Sequence, residues 1–239
     1  MSYAIGVLAG MGPRSTAPFI DMIISSCQKL YGAKYDIDFP LIHILSLPTP
    51  FYPGCEIDEE KMKAALCSGI DKLVKANVNI IIVPCNLAHC WFNIMSKACG
   101  QIPIIHIADS AIARIPKQKQ RISIFATEQT MQNGFYQSRL TKSGYETCIN
   151  DDIQSSVTAL IKKIKILGYD STDVIFLWKN LVSLVEELGV DCVLIACTDI
   201  SPLSKIIPSP RIIFVDTAEC LAEFAVKKYM EDGLKKTLK

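Results

Sequence analysis

Short aliphatic runs alternate with longer amphipathic segments along the chain. Seven runs predict strands, at residues 4–9, 41–46, 79–83, 103–108, 121–126, 192–196 and 211–215. Near-continuous apolarity over five or six residues is typical of strands covered on both faces, which favours mainly parallel sheets. Between the runs, apolar residues recur with helical spacing, as at Phe19, Ile23 and Cys27. The pattern predicts an α/β protein.

An internal repeat predicts two similar Rossmann-like halves. The sequence AIGVLAG at 4–10 is echoed by RISIFAT at 121–127, NIIIVPCN at 79–86 by DCVLIACT at 191–198, and IIHI at 104–107 by IIFV at 212–215. The offsets of 117, 112 and 108 residues are nearly constant. We predict a first half of residues 1–108 plus 210–239 and a second of 109–209, with the last strand and its following helix returning to the first half.

Composition narrows the classes of protein. The 239 residues are 50% hydrophobic, which suits a folded core, and the net charge of +1 gives no electrostatic footprint for nucleic acid. The uncharged stretch at 76–96 contains four Asn side chains and one His, so we expect no membrane span. Ten cysteines without a CxxC pair indicate reduced thiols, and the absence of an export signal favours the cytoplasm.

The candidate chemistry lies where strands end, because ligands of parallel sheets bind beyond the carboxyl ends of the strands. Cys85 and Cys197 hold matched positions in the repeat, each after a buried strand and before a helix, where helix N–H groups favour a thiolate. If the strand ends of the halves face each other across a pseudo-two-fold axis, the two thiols flank one substrate carbon. One removes a proton and the other returns one to the opposite face, which inverts a stereocentre.

Hydrogen-bonding groups next to the cysteines complete this hypothesis. The amide of Asn86 and the hydroxyls of Thr127, Thr130 and Thr198 can hold a carboxylate and the charge that develops on it during deprotonation. The geometry requires neither a metal nor pyridoxal, so we predict no cofactor.

At these residues the chain resembles the aspartate/glutamate racemase superfamily, and within it the aspartate racemase branch. The similar segments are GVLAGMGPRST at 6–16, PCNLAH at 84–89, IPIIHI at 102–107, ATEQT at 126–130 followed by GFYQSRL, and ACTDISPL at 196–203. The resemblance runs from Gly6 to about Leu221. It implies two Rossmann-like halves with the active site between them, cofactor-independent racemisation by two cysteines of an amino acid or small carboxylate as the small-molecule partner, and frequent dimerisation, which leaves a homodimer open.

The resemblance assigns roles to individual residues. It places acid/base catalysis on Cys85 and Cys197, and contacts with the substrate on Met11, Asn86, Thr127, Thr130 and Thr198.

The chain departs from the family pattern at three places. Leu87 replaces a Thr, which removes one hydroxyl from the substrate carboxylate site. Gln129 replaces a Gly, which would strain the loop by about 1 kcal/mol if that position needs a positive φ. Residues 47–54 carry no cation where many relatives have an Arg that binds a side-chain carboxylate.

These departures keep other functions open. A related paired-cysteine enzyme could isomerise a double bond or decarboxylate a small carboxylic acid. A protein derived from a racemase could bind a ligand without catalysis. Two weaker alternatives are a zinc site at Cys85, His89 and Cys90, which lacks a second ligand cluster, and a dinucleotide loop at 10–12, which lacks a third glycine. We expect His89 to pack under the site or tune Cys85, and His106 to be a core residue.

Overall fold

The computed structural model describes residues 3–51 and 56–234. The chain divides into two compact units, Met1–Ile107 with Leu221–Lys239 and Ala108–Cys220. Tyr52, Pro53 and Gly54 of the cation-free segment lie outside the described residues, as do residues 235–239 of the predicted first half.

The first unit contains a parallel sheet of three strands. They are β1 (Ala4–Ala9), β2 (Leu41–Ser46) and β3 (Ile80–Ile82), in the order β2-β1-β3. The helices between and after them are α1 (Thr16–Tyr31), α2 (Glu59–Lys75) and α3 (Phe92–Ala98). The run at 103–108 forms only one bridge, from Ile104 to Ile81, because α4 (Ile107–Ile112) already begins within it.

The second unit contains a parallel sheet of four strands. They are β4 (Arg121–Phe125), β5 (Glu146–Thr147), β6 (Cys192–Ile195) and β7 (Ile213–Asp216), in the order β5-β4-β6-β7. Its helices are α5 (Glu128–Asn133), α6 (Phe135–Lys142), α7 (Asp151–Leu167), α8 (Thr172–Glu187) and α9 (Ser201–Ile206). Helix α10 (Thr217–Tyr229) follows β7, and a π-helical turn at Met230–Leu234 follows α10.

One strand lies in a different sheet from the one that the sequence predicts. The proposed boundary at residue 210 assigns the last strand to the first half, but β7 pairs in parallel with β6 along its whole length, from Ile213 opposite Cys192 to Asp216 opposite Ile195. The repeat explains this pairing, since residues 212–215 echo 104–107, and Ile104 makes the corresponding bridge in the first sheet. The placement of this strand is therefore corrected.

The burial of the strands shows where the cores lie. Strands β1, β3 and β6 are buried at every residue, as expected for strands covered on both faces. Strand β2 is different, with Leu41 and Ile44 about half exposed, because it forms an open edge of its sheet, whereas β3 at the other edge is bridged through Ile81 to Ile104. The α/β class with mainly parallel sheets is confirmed, while the pseudo-two-fold axis stays a prediction.

No helix within residues 3–51 and 56–234 combines the length and the apolarity needed to cross a lipid bilayer. The uncharged stretch at 76–96 instead supplies β3, a 3-10 helix (Leu87–Trp91) and most of α3.

Candidate active site

The first sheet brings three of the predicted site residues to one edge. Strands β1 and β3 are neighbours, with Val7 opposite Ile82, so the loops that follow them leave the sheet side by side. Met11 follows β1, and Cys85 and Asn86 follow β3. The side chains of Met11 and Cys85 are partly buried and pack against the same hydrophobic core.

Close backbone contact fixes the loop that carries Met11. Gly10 has a φ of +91°, and its N–H donates to Thr16 Oγ1 at 3.2 Å. A Cβ at Gly10 would collide with the backbone N of Leu47 and lie 2.8 Å from its carbonyl oxygen. The glycine is therefore required for the loop to lie against the end of β2.

Asn86 is 5% exposed and directly precedes the 3-10 helix. Its backbone carbonyl accepts from the N–H of His89 at 3.0 Å, but its side chain makes no capping hydrogen bond to that helix. The Asn86 side chain is therefore not an N-cap, so helix capping does not account for an asparagine at this position. The helix after Cys85 spans five residues, so it offers less of a dipole than the sequence analysis assumed.

Cys85 packs against the hydrophobic core of the first unit. Leu87, at the position of the missing hydroxyl, is buried. Burial, and secondly the charge of Cys85, raise the pKa of the Cys90 thiol to about 12. Cys90 therefore stays protonated at neutral pH and is a poor second base.

His89 is 2% exposed, and both of its ring nitrogens contact the backbone. Nε2 lies 2.9 Å from the carbonyl oxygen of Val83, to which it donates, and Nδ1 accepts from the N–H of Ile107 at 3.5 Å. This arrangement describes a neutral imidazole protonated on Nε2. The rings of Phe92 and His106 pack against it, with the His89 and His106 centroids 4.7 Å apart.

The zinc alternative gains no support from this geometry. Within the described part of the chain, no group of three or more His, Cys, Asp and Glu side chains could hold a metal ion. His89 would also have to give up a backbone hydrogen bond before it could bind a metal.

The second sheet collects the other four predicted site residues at one edge. Phe125 of β4 lies opposite Ile195 of β6. Thr127 comes two residues after Phe125, and Cys197 comes two residues after Ile195, so both follow the same edge of the sheet. Thr127 caps α5 by accepting from the N–H of Thr130 at 3.4 Å, and the two hydroxyls lie 3.0 Å apart. Thr130 is 1% exposed.

Cys197 is buried at the rim of the second core. Its backbone carbonyl accepts from the N–H of Ile200, the N-cap of α9, at 3.0 Å. Thr198 lies in the turn between them, so it is not at the N-cap position. Because α9 begins four residues after Cys197 and has six residues, its dipole also stabilises a thiolate less than predicted.

The structure removes the expected strain at Gln129. This residue lies inside α5, where the backbone is helical, so the position needs no positive φ. The substitution therefore costs no backbone strain.

Helix α7 supplies two further polar side chains near the predicted site residues of the second unit. Gln154 Nε2 donates to the carbonyl of Ala126 at 3.2 Å, next to Thr127. Lys165 Nζ lies 2.6 Å from Oδ2 of Asp199, which is two residues after Cys197. Gln154 and Lys165 are eleven residues apart, which places them on one helix face, and that spacing was the signal available in the sequence.

The fold is that of an α/β protein with two parallel sheets, each of which has a buried strand followed by a cysteine. Residues 8–225 match the model of the Asp/Glu/hydantoin racemase family. The chain is 40% identical over 227 residues to the broad-specificity amino-acid racemase RacX of Bacillus subtilis (strain 168), covering 95% of this chain and 98% of that protein.

Two solved structures share the fold. The aspartate racemase of Picrophilus torridus superimposes with a TM-score of 0.73 at 23% identity, covering 95% of this chain and 94% of that one. An aspartate racemase homologue from Pyrococcus horikoshii OT3 gives a TM-score of 0.75 at 22% identity, covering 96% and 100%.

The chain belongs to the Asp/Glu/hydantoin racemase family. It is an amino-acid racemase of that family, an isomerase, and the resemblance read from its motifs is confirmed.

Proposed function

We propose that the chain racemises amino acids without a cofactor, using Cys85 and Cys197 as its two acid/base groups. The observation that carries this proposal is the duplicated arrangement of a buried strand and a cysteine, at β3 in one sheet and β6 in the other. Membership of the racemase family supplies the reaction class. The predicted apposition of the two sheet edges supplies the geometry.

The reaction needs one thiolate and one thiol. The thiolate takes the α-hydrogen as a proton and leaves the electron pair on the α-carbon, conjugated with the carboxylate. The thiol on the other side then donates its proton to that carbon, which yields the opposite enantiomer. The two cysteines have exchanged protonation states, and the reverse reaction restores them.

The proposed substrate contacts come from both edges. The Asn86 amide and the Thr198 hydroxyl follow the two cysteines, and the hydroxyl pair of Thr127 and Thr130 adds donors that can stabilise the charge on the carboxylate. Met11 provides the apolar wall, since it packs beside Cys85 on the same core.

We propose a broad range of substrates, including amino acids with no second carboxylate. Residues 47–54 contain no cation, and Lys165 is ion-paired with Asp199 at 2.6 Å. RacX, which is 40% identical, carries the description of broad specificity.

Paired variants test the function. Cys85→Ser and Cys197→Ser should each lower racemisation by about a hundredfold or more, since a hydroxyl is a far weaker acid than a thiol. Cys99→Ser, in the core of the first unit, is the control. A panel of amino acids, maleate and arylmalonates measures the reaction class. Turnover of maleate or arylmalonates alone, or racemisation at full rate in either Ser variant, contradicts the proposal.

Two further parts of the proposal concern the cell compartment and the oligomeric state of the protein. Thiols that alternate as acid and base must stay reduced, and none of the nine described cysteines forms a disulfide, so we propose the cytoplasm as the location. A homodimer stays a prediction from the resemblance, and light scattering coupled to gel filtration would measure it.

A further inference from the structure

The backbone carbonyl two residues before each candidate cysteine accepts a hydrogen bond from a buried side chain. Before Cys85 this is Val83, whose oxygen accepts from His89 Nε2 at 2.9 Å. Before Cys197 it is Ile195, whose oxygen accepts from Thr217 Oγ1 at 3.0 Å. Both carbonyls hold the same place in the internal repeat.

The two donors come from different places in the repeat. His89 lies in the 3-10 helix that follows Cys85, whereas Thr217 is the first residue of α10. The exposed fractions of the two residues are 2% and 0%. Different residue types therefore support the same backbone position in the two units, which points to a shared requirement on that position.

Each donor is itself held by a second hydrogen bond. His89 Nδ1 accepts from the N–H of Ile107 at 3.5 Å, so the ring links the end of β3 to the start of α4. The side chain of Thr217 is also hydrogen-bonded to Tyr136, a fully buried residue of α6. We call the first set, Val83, His89 and Ile107, the His89 brace, and the second, Ile195, Thr217 and Tyr136, the Thr217 brace.

The Val83–Pro84 peptide plane has fewer hydrogen-bonding groups than the Ile195–Ala196 plane. Pro84 has no N–H, so the Val83 carbonyl is the only hydrogen-bonding group on that plane. In the second unit the N–H of Ala196 donates to Phe125 at 2.9 Å, which holds the corresponding plane from its other side.

We propose that His89 and Thr217 are positioning residues, each of which sets the direction of one catalytic cysteine by fixing the peptide plane two residues before it. This inference rests on the proposed roles of Cys85 and Cys197. Rotation of either plane redirects the chain into the next peptide, and through it the Cα–Cβ bond of the cysteine and its sulfur. His89 acts as a neutral hydrogen-bond donor and takes no part in proton transfer.

The test measures the alkylation rate of each cysteine separately, by peptide mass spectrometry with iodoacetamide, together with kcat and KM. His89→Leu should change the rate at Cys85 by about threefold or more, leave Cys197 unchanged, and lower kcat by about tenfold or more with little effect on KM. Thr217→Val should change the alkylation rate of Cys197 alone. Its loss of kcat should be smaller than that of His89→Leu, because the N–H of Ala196 still holds the peptide plane.

Conservative variants separate positioning from general stability. His89→Gln retains an amide donor near Nε2, and Thr217→Ser retains the hydroxyl, so both should recover to within about threefold of the wild type. Ile70→Val and Val174→Ala remove buried methyl groups without removing a hydrogen bond, and should lower Tm without changing either alkylation rate.

Three results would overturn the inference. They are equal changes in the alkylation rates of both cysteines, no change at either cysteine, and failure of the conservative variants to recover the wild-type rates. Alkylation needs no turnover, so the braces are tested even if Cys85→Ser and Cys197→Ser retain full activity, a result that contradicts only the proposed function.

Discussion

Single residues decide how the loops at the strand ends are shaped. Gly10 shows this most clearly, because its φ of +91° and its contact with the Leu47 backbone both exclude a side chain. Two residues along, Gly12 has a φ of −79° and open space where a Cβ would lie. The sequence presents both as equivalent members of a GMG loop, and only the three-dimensional contacts separate them.

Gly10→Ala should therefore lower the free energy of unfolding by about 1–3 kcal/mol and raise KM, because the loop with Met11 must move. Gly12→Ala is the matched control and should change neither quantity. Thermal unfolding and steady-state kinetics measure both variants. Equal effects of the two substitutions would contradict this account of the loop.

Asp216 is a buried carboxyl group at the end of β7. Its Oδ1 accepts from the N–H groups of Ala218 at 2.9 Å and Glu219 at 3.3 Å, while Oδ2 is buried without a protein hydrogen bond. The Ser201 hydroxyl lies beside the carboxyl and lowers its pKa without reaching good geometry to Oδ2, but burial dominates and raises the pKa above 3.8.

A raised carboxyl pKa makes folding less favourable as the pH rises above the unfolded value of 3.8, because the ionised form must be buried. Asp216→Asn keeps the accepting oxygen and cannot ionise. We expect its stability relative to the wild type to increase as the pH rises above about 4, and to level off above the folded pKa. Urea unfolding between pH 3 and 7 measures this, and a pH-independent difference would contradict it.

At the scale of elements, the sequence predicted the positions of strands better than it predicted which strands pair with each other. The runs at 4–9 and 41–46 match β1 and β2 residue for residue, because the apolar pattern and the flanking turn residues agree there. The two-residue strand β5 was missed, since two residues carry no periodicity. The sheet of β7 was assigned wrongly because pairing is a non-local property, although the repeat contained the information.

Helix α7 contacts the start of α5, where Thr127 is the N-cap. Gln154 donates to Ala126 at 3.2 Å, and Thr158 donates to Glu128 at 2.9 Å, so one face of the helix is tied to the loop. A helix with no predicted site residue therefore holds the backbone on either side of Thr127.

Gln154→Leu should raise KM by about threefold or more and lower stability by about 1 kcal/mol, because the Ala126 carbonyl loses a donor. Ser155→Ala, at an exposed position on the same helix, is the control. Kinetics with a preferred amino acid and thermal unfolding provide the readouts. An unchanged KM in Gln154→Leu would show that the tie does not serve substrate binding.

At the scale of the molecule, the duplicated chain explains why the candidate site was predictable. The repeat places a cysteine after one buried strand of each sheet, and in the structure each cysteine and its predicted neighbours follow strands at one sheet edge of their unit, while their roles stay predictions. The braces could not be predicted, because His89 and Thr217 reach their carbonyls only through tertiary folding. The same holds for the ion pair of Lys165 and Asp199, 34 residues apart in the sequence.

The most direct test of two-cysteine proton exchange is the fate of the α-hydrogen in deuterated water. Starting from one enantiomer, the account predicts that newly formed product carries deuterium at the α-carbon, while unreacted substrate keeps its hydrogen at early times, since a different thiol supplies each proton. Cys85→Ala and Cys197→Ala should each abolish inversion. Product that retains the original α-hydrogen, or inversion that survives in either variant, would contradict the account.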